Sequence, residues 1–137
     1  MSLFKVFDTA GTALSAQSVR LNTVASNLAN AESAATTPED AYKSKQAVFE
    51  TLLQGFGADQ SAVGVKVADV VTSDAPPRQA YEPNNPMASE EGYVYYPNVN
   101  AVEEMANMIS ASRSYQTNVE VMNTAKQLLV RTLQLGQ

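Results

Sequence analysis

The chain has 137 residues, a net charge of −5 at pH 7, and neither cysteine nor histidine. The missing residues exclude disulfides, thiol or imidazole catalysis and thiolate metal sites, and the acidic balance without any Lys/Arg block argues against a nucleic-acid partner. The length is that of one ordinary domain, and we expect no enzymatic activity, no cofactor and no metal site.

A heptad pattern opens the chain, with apolar residues at alternating steps of four and three. Ser2 is a suitable N-cap and no proline precedes Pro38, so the pattern predicts one helix over residues 3–31. Its predicted seam comprises Leu3, Phe7, Ala10, Leu14, Gln17, Leu21, Val24, Leu28 and Ala31, of which only Gln17 is polar.

The same N-terminal stretch lacks a cationic start followed by an unbroken apolar run, which a cleaved signal peptide requires. No apolar stretch in the chain reaches the roughly 18 residues typical of a membrane span. We therefore expect no cleaved signal and no direct membrane insertion, and these observations alone favour the cytoplasm.

Residues 32–98 have a different character, because all six prolines and most of the charge lie there. Alternating β-branched and aromatic residues predict short strands at 42–53, 63–73 and 92–97. The proline-punctuated segment 73–86 is expected to be an edge strand or a loop. Residues 32–41 and about 55–63 are predicted to be mobile. The sequence thus predicts a small β-rich middle region.

A second heptad pattern follows within residues 99–137 and predicts a helix over about 100–135. Asn100 and Glu103 have the spacing of a capping box, and Gly136 closes the run. The predicted seam comprises Met105, Met108, Ser112, Tyr115, Val119, Met122, Lys126, Leu129 and Leu133. The domain organisation is then helix 1–31, middle region 32–98 and helix 99–137, with the two helices forming one discontinuous domain.

Both predicted helices carry little charge: three charged residues occur in 1–31 and six in 99–137. Their backs carry small uncharged groups such as Thr12, Ala16 and Ser110, which can be buried at modest cost, whereas an unpaired buried charge is expensive. Two helices cover only one face of each other, so we expect the remaining faces to contact other chains. Among the amides Asn22, Asn27 and Asn30, we expect Asn27 to face a neighbouring subunit.

The segment SNLAN (Ser26, Asn27, Leu28, Ala29 and Asn30), within LSAQSVRLNTVASNLANAES, resembles the N-terminal signature of the axial proteins of the bacterial flagellum. The segments YEPNNP, GYVYYPNVN and ASRSYQTNVEVMNTAKQLL resemble the C-terminal half of the proximal rod subunits of the FlgC type. Asn84 and Met87 depart from the glycine and leucine common in that family. Together the two blocks cover most of the chain.

The resemblance implies a mainly α fold, in which the N- and C-terminal helices pair as an antiparallel coiled coil around an extended, β-rich middle segment. The seams alone allow either direction of pairing. It further implies a structural subunit of the flagellar basal-body rod, exported through the flagellar type III apparatus without signal cleavage and assembled helically into a periplasmic drive shaft.

Implied partners are other rod subunits, further copies of the chain, the membrane-ring and export-gate base, and hook-basal-body proteins. The alternatives are another flagellar axial subunit or a cytoplasmic coiled-coil adaptor or chaperone.

Overall fold

The structure is a computed structural model that describes residues 3–53 and 63–136. Two long helices enclose four short strands in chain order, as the sequence predicts for a mainly α protein with a small β region. The elements are α1 (Leu3–Asn30), β1 (Lys45–Leu53), β2 (Val63–Thr72), β3 (Arg78–Tyr81), β4 (Tyr93–Tyr96) and α2 (Ala101–Leu135). Of the predicted mobile segment 55–63, all but Val63 lies outside the described residues.

The helix boundaries agree with the sequence patterns to within one residue. Asn100 caps α2: its side-chain oxygen accepts hydrogen bonds from the backbone N–H groups of Val102 at 3.2 Å and Glu103 at 3.3 Å. The predicted N-cap of α1, Ser2, lies outside the described residues. Neither described helix is both long and apolar enough to cross a membrane.

The two helices lie side by side and run in opposite directions. Near one end of the pair, Arg20 donates a hydrogen bond from Nη2 to Asn107 Oδ1 at 3.3 Å. Near the other end, Leu3 shares a groove with Val121 and Leu128. Residue numbers therefore fall along α1 as they rise along α2, which makes the pair antiparallel. Supercoiling of this pair into a coiled coil remains a prediction.

The face of α2 that contacts α1 is displaced from the predicted seam. Since α1 is the only described element packed on α2, buried positions mark this face, and they are Glu104, Ala111 and Ala125. Met105 and Leu133 are 53% and 71% exposed, which corrects their assignment to the seam with α1. The heptad prediction favoured large apolar side chains at this contact. Two helices approach each other closely only where the side chains between them are small, such as alanine.

The hairpin of β1 and β2 covers a second face of α1. The strands pair antiparallel from Lys45 opposite Thr72 to Leu53 opposite Val63, with a bulge between Val48 and Phe49. Thr12 Oγ1 of α1 accepts a hydrogen bond from Val65 N at 3.3 Å. The expectation that the uncharged back of α1 is covered only by other chains is therefore wrong around Thr12 and Ala16, where the chain covers itself.

A smaller sheet is formed by β3 and β4, which pair from Arg78 opposite Tyr96 to Tyr81 opposite Tyr93. On the other side of β4, Ala35 and Tyr95 exchange two backbone hydrogen bonds of 2.9 Å. This bridge holds the centre of segment 32–41, which the sequence predicts to be mobile. Val94, in the middle of β4, is completely buried and anchors the sheet.

Candidate assembly interface

Asn27, in the middle of the SNLAN segment, is completely buried, and both its amide nitrogen and its amide oxygen are hydrogen-bonded within the chain. Its Nδ2 donates to Lys45 O at 2.8 Å. Its Oδ1 accepts from Lys45 N at 2.9 Å and from the Tyr42 hydroxyl at 2.9 Å. The expectation that Asn27 faces a neighbouring subunit is therefore wrong. This amide fixes the start of β1 against α1.

A second amide, Asn98, holds the same region from the other side. Its Oδ1 accepts from Ser44 N at 2.8 Å, and its Nδ2 donates to Ala75 O at 2.8 Å. Asn98 lies just before α2, so this side chain connects the start of α2 to the residues just before β1 and just after β2. Nothing in the heptad or strand patterns distinguished it, because a loop asparagine usually interacts locally.

The rest of SNLAN lies toward the surface. Ser26 and Ala29 are exposed and Leu28 is half-buried. Asn30 donates from Nδ2 to Ser26 O at 2.8 Å, so its amide caps its own helix. Among the described residues only a glycine, Gly92, has positive φ, so Asn30 ends α1 without left-handed geometry. The exposed members of the segment remain candidates for contact with another chain.

The predicted seam residues of α1 differ in how deeply they are buried. Ala10, Val24 and Ala31 are buried, and the half-buried members are Leu3, Phe7, Leu14, Gln17, Leu21 and Leu28. In α2 the half-buried members are Met108, Ser112, Tyr115, Val119, Met122 and Leu129, and Lys126 is exposed. The Gln17 side-chain oxygen is buried, and no described residue forms a hydrogen bond with it. A role for these residues in assembly stays a prediction.

Eight large apolar side chains of α2 are exposed by 39% or more in the described chain. We call these side chains together the outer face of α2, although they lie on more than one side of the helix; they are Val102, Met105, Ile109, Val121, Leu128, Val130, Leu133 and Leu135. Val102 is 77% exposed and Leu135 is 89% exposed. The exposed side chains fall in two groups, one near each end of α2. A set of this size on one helix is typical of a surface that meets another protein.

An apolar groove adjoins this face where α1 begins. It has a volume of about 430 Å³ and is lined by Leu3, Val6, Thr117, Glu120, Val121, Thr124, Ala125 and Leu128. Its walls come from both helices, so the groove exists only because the helices are paired. Its chemistry suits an apolar side chain from another helix.

In the part of the chain that the structure describes, the titratable groups with shifted pKa values are two tyrosines. Burial, followed by the negative charge of Glu104, raises the pKa of Tyr42 above its usual 10.0. For Tyr96 the first cause is hydrogen bonding to Glu82, at 3.1 and 3.2 Å, which also raises the pKa. Within residues 3–53 and 63–136 no group of three or more His, Cys, Asp or Glu side chains is placed to hold a metal.

Two family models match the chain. A model described as "Flagella basal body rod protein" matches residues 7–33, which cover most of α1 and the SNLAN segment. A model described as "Flagellar basal body rod FlgEFG protein C-terminal" matches residues 90–135, which cover β4 and α2. The two matched regions include both members of the helix pair.

Three relatives that align with the chain over their whole length share one name. A protein of Escherichia coli O6:H1 is 53% identical over 137 residues, and one of Salmonella typhimurium is 52% identical over 137 residues. A protein of Bacillus subtilis is 33% identical over 150 aligned residues. Each is named flagellar basal-body rod protein FlgC, and each alignment covers 100% of both chains.

Proposed function

Since the chain belongs to the FlgC family of flagellar basal-body rod proteins, we propose that it builds the rod through contacts of α2's outer face with neighbouring subunits. Its relatives are structural components of the basal body, and the fold described above suits such a role. Each subunit would contribute one antiparallel helix pair to the wall of the rod.

The exposure of α2's outer face is the observation that carries this proposal. The β1–β2 hairpin covers one face of α1, but no strand of the described chain packs on α2. Burying one large apolar side chain contributes about 1.5–3 kcal/mol, so even part of this face would supply substantial association free energy. Val102 and Ile109 at one end, and Leu133 and Leu135 at the other, would contact different neighbours.

Contacts between unlike patches that do not close into a ring generate a helical filament or tube. We propose that the chain is exported through the flagellar type III apparatus and joins such a tube in the periplasm, where it transmits torque. Its neighbours would be other rod subunits and further copies of itself.

Electron cryomicroscopy of purified basal bodies, stripped of hook and filament, tests the proposal directly. Mass spectrometry on the same sample identifies the chain. We expect density for the chain in the rod, with α2's outer face buried between neighbours. Its absence from intact rods, or its presence with Ile109 and Leu133 facing solvent, would overturn the proposed mode of assembly.

A further inference from the structure

Met105, near the start of α2, is the most exposed methionine that the structure describes. It is 53% exposed, Met87 is 43% exposed, and Met108 and Met122 are half-buried. Met1 lies outside the described residues. The chain contains no cysteine, histidine or tryptophan, so methionine sulfur is the atom that a mild oxidant attacks first. Because oxidation of a thioether requires access to the sulfur, Met105 and Met87 are the positions open to it.

Met105 lies between two other exposed apolar side chains, Val102 and Ile109, and we call these three the Met105 patch. Val102 precedes Met105 by three residues and Ile109 follows it by four. At about 100° per residue, the three side chains therefore project within about 60° of one another. None of them carries a hydrogen-bond donor. The patch belongs to the outer face of α2, so a neighbouring subunit that covers it would bury the Met105 sulfur.

Oxidation of the Met105 thioether changes this surface without changing its charge. The sulfur lone pair attacks one oxygen of hydrogen peroxide, the O–O bond breaks, and the proton on the transferred oxygen passes to the departing hydroxide, which gives the sulfoxide and water. Sulfur loses two electrons and peroxide gains them. The new S=O oxygen accepts hydrogen bonds, but the patch offers it no donor. Burial without a donor is unfavourable, which favours keeping the sulfoxide in water.

We propose that Met105 is an oxidation-sensitive position that controls entry of the chain into the rod. Hydrogen peroxide converts its thioether to the sulfoxide while the chain is free, and the sulfoxide prevents a neighbouring subunit from covering the Met105 patch. In a rod already built, the side chain is covered and protected from the oxidant. This inference rests on the proposed rod function, because it concerns the regulation of the same surface.

Peptide mass spectrometry after brief treatment with hydrogen peroxide measures access to each sulfur. In the isolated chain we expect Met105 and Met87 to be oxidised several times faster than Met108 and Met122. In purified rods, oxidation of Met105 should be slower than in the isolated chain by about tenfold or more. Equal rates for the four methionines in the isolated chain would overturn the inference. An equal rate for Met105 in rods and in the isolated chain would overturn it too.

Entry into the rod is measured with substitutions that imitate or prevent the oxidation. Met105→Gln introduces a polar group, and Met105→Leu keeps an apolar side chain that cannot be oxidised. Each variant is co-expressed with a tagged parent chain in cells whose chromosomal copy is deleted, and the ratio in purified rods is compared with that in the lysate. We expect Met105→Gln to reduce incorporation by about tenfold, and Met105→Leu to change it by less than about twofold. Met87→Gln, at an exposed position outside α2, is the matched control and should stay within about twofold.

The parent chain gives a test that does not depend on the folding of a variant. Cells that lack methionine sulfoxide reductases are treated with peroxide while another rod subunit is withheld, and rods then form after the peroxide is removed. Protection within built rods therefore cannot affect the result. We expect the fraction of Met105 sulfoxide to be about tenfold lower in the rods than in the unassembled chain of the lysate. If Met105→Gln lowers the urea midpoint of the isolated chain, this measurement decides.

The outcomes separate the inference from the function on which it rests. Equal sulfoxide fractions in rods and lysate would overturn the control by Met105 and leave the rod function standing. Undiminished incorporation of Met105→Gln, or an equal loss with Met87→Gln, would do the same. Rods without the parent chain would reject the function itself.

Discussion

Asn27 and Lys45 are joined by a two-way hydrogen bond: the Asn27 amide donates to Lys45 O at 2.8 Å and accepts from Lys45 N at 2.9 Å. The side chain thus replaces a neighbouring strand for the first residue of β1. Because Asn27 lies on α1, the pairing sets where the hairpin begins relative to the helix. The hairpin then covers the back of α1 and does not cover the outer face of α2.

Replacing Asn27 by alanine should lower the free energy of unfolding by about 2–4 kcal/mol, because it leaves the Lys45 backbone groups and the Tyr42 hydroxyl without this partner. Urea unfolding of the isolated chain measures the change. Asn22→Ala, at an exposed position on the same helix, is the control and should change stability by less than about 0.5 kcal/mol. Equal stability of the two variants would contradict the anchoring role of Asn27.

Substituting Gly92 by alanine should destabilise the small sheet. Gly92 has φ of +83°, and an added Cβ would lie 2.8 Å from Tyr81 Cε2 and 3.3 Å from Pro83 Cβ. We expect a loss of about 1–3 kcal/mol in urea unfolding. Gly11→Ala is the control with the opposite expected sign. Gly11 lies within α1, and an added Cβ would have nothing within 4 Å, so the substitution should raise stability by up to about 1 kcal/mol. A Gly92 variant as stable as the parent would show that the turn relaxes.

Placing a charge on α2's outer face should block assembly without unfolding the subunit. Ile109 is 58% exposed, so Ile109→Asp should leave the urea midpoint of the isolated chain nearly unchanged. In the rod the same carboxylate would be buried without a partner, and incorporation and motility should be lost. Ser110→Asp adds the same charge at the next, exposed position and serves as the comparison. Rods of normal composition built with Ile109→Asp would rule out this face.

Stability should fall at alkaline pH partly through Tyr42. Its pKa is raised in the folded chain by burial and by the charge of Glu104, so the folded state holds the phenolic proton more tightly than the unfolded chain. This contribution is complete below pH 10.0, the usual pKa of tyrosine, and is lost as the pH rises through the folded value. Tyr42→Phe should therefore show a shallower decline of the urea midpoint above about pH 10 than the parent. Parallel curves for the two chains would contradict the shift.

The second shifted tyrosine can be tested through its partner. Hydrogen bonding to Glu82 is the first cause of the raised pKa of Tyr96, so Glu82→Gln should lower that pKa toward 10.0. Tyrosinate absorbance during alkaline titration, with Tyr96→Phe used to assign the signal, measures the change. An unshifted titration in Glu82→Gln would assign the effect to burial.

The heptad patterns predicted both helices to within one residue because helix periodicity is a local property of side chains on a single element. The strands β1, β2 and β4 were found for the same reason, since alternation and β-branched content are local. The choice of contact face on α2 was not local. Ala111 and Ala125 face α1 because small side chains allow close approach, and no count of large apolar residues reveals that.

By itself the sequence determined the elements, the family resemblance and the expectation of an assembling protein, because these depend on composition, period and motif. Only the tertiary structure decided that Asn27 bonds to Lys45 rather than to a neighbour, and that the β1–β2 hairpin rather than another chain covers Thr12. An amide or hydroxyl has the same hydrogen-bonding capacity toward its own chain as toward a second chain. Which partner it meets depends on how distant segments are brought together.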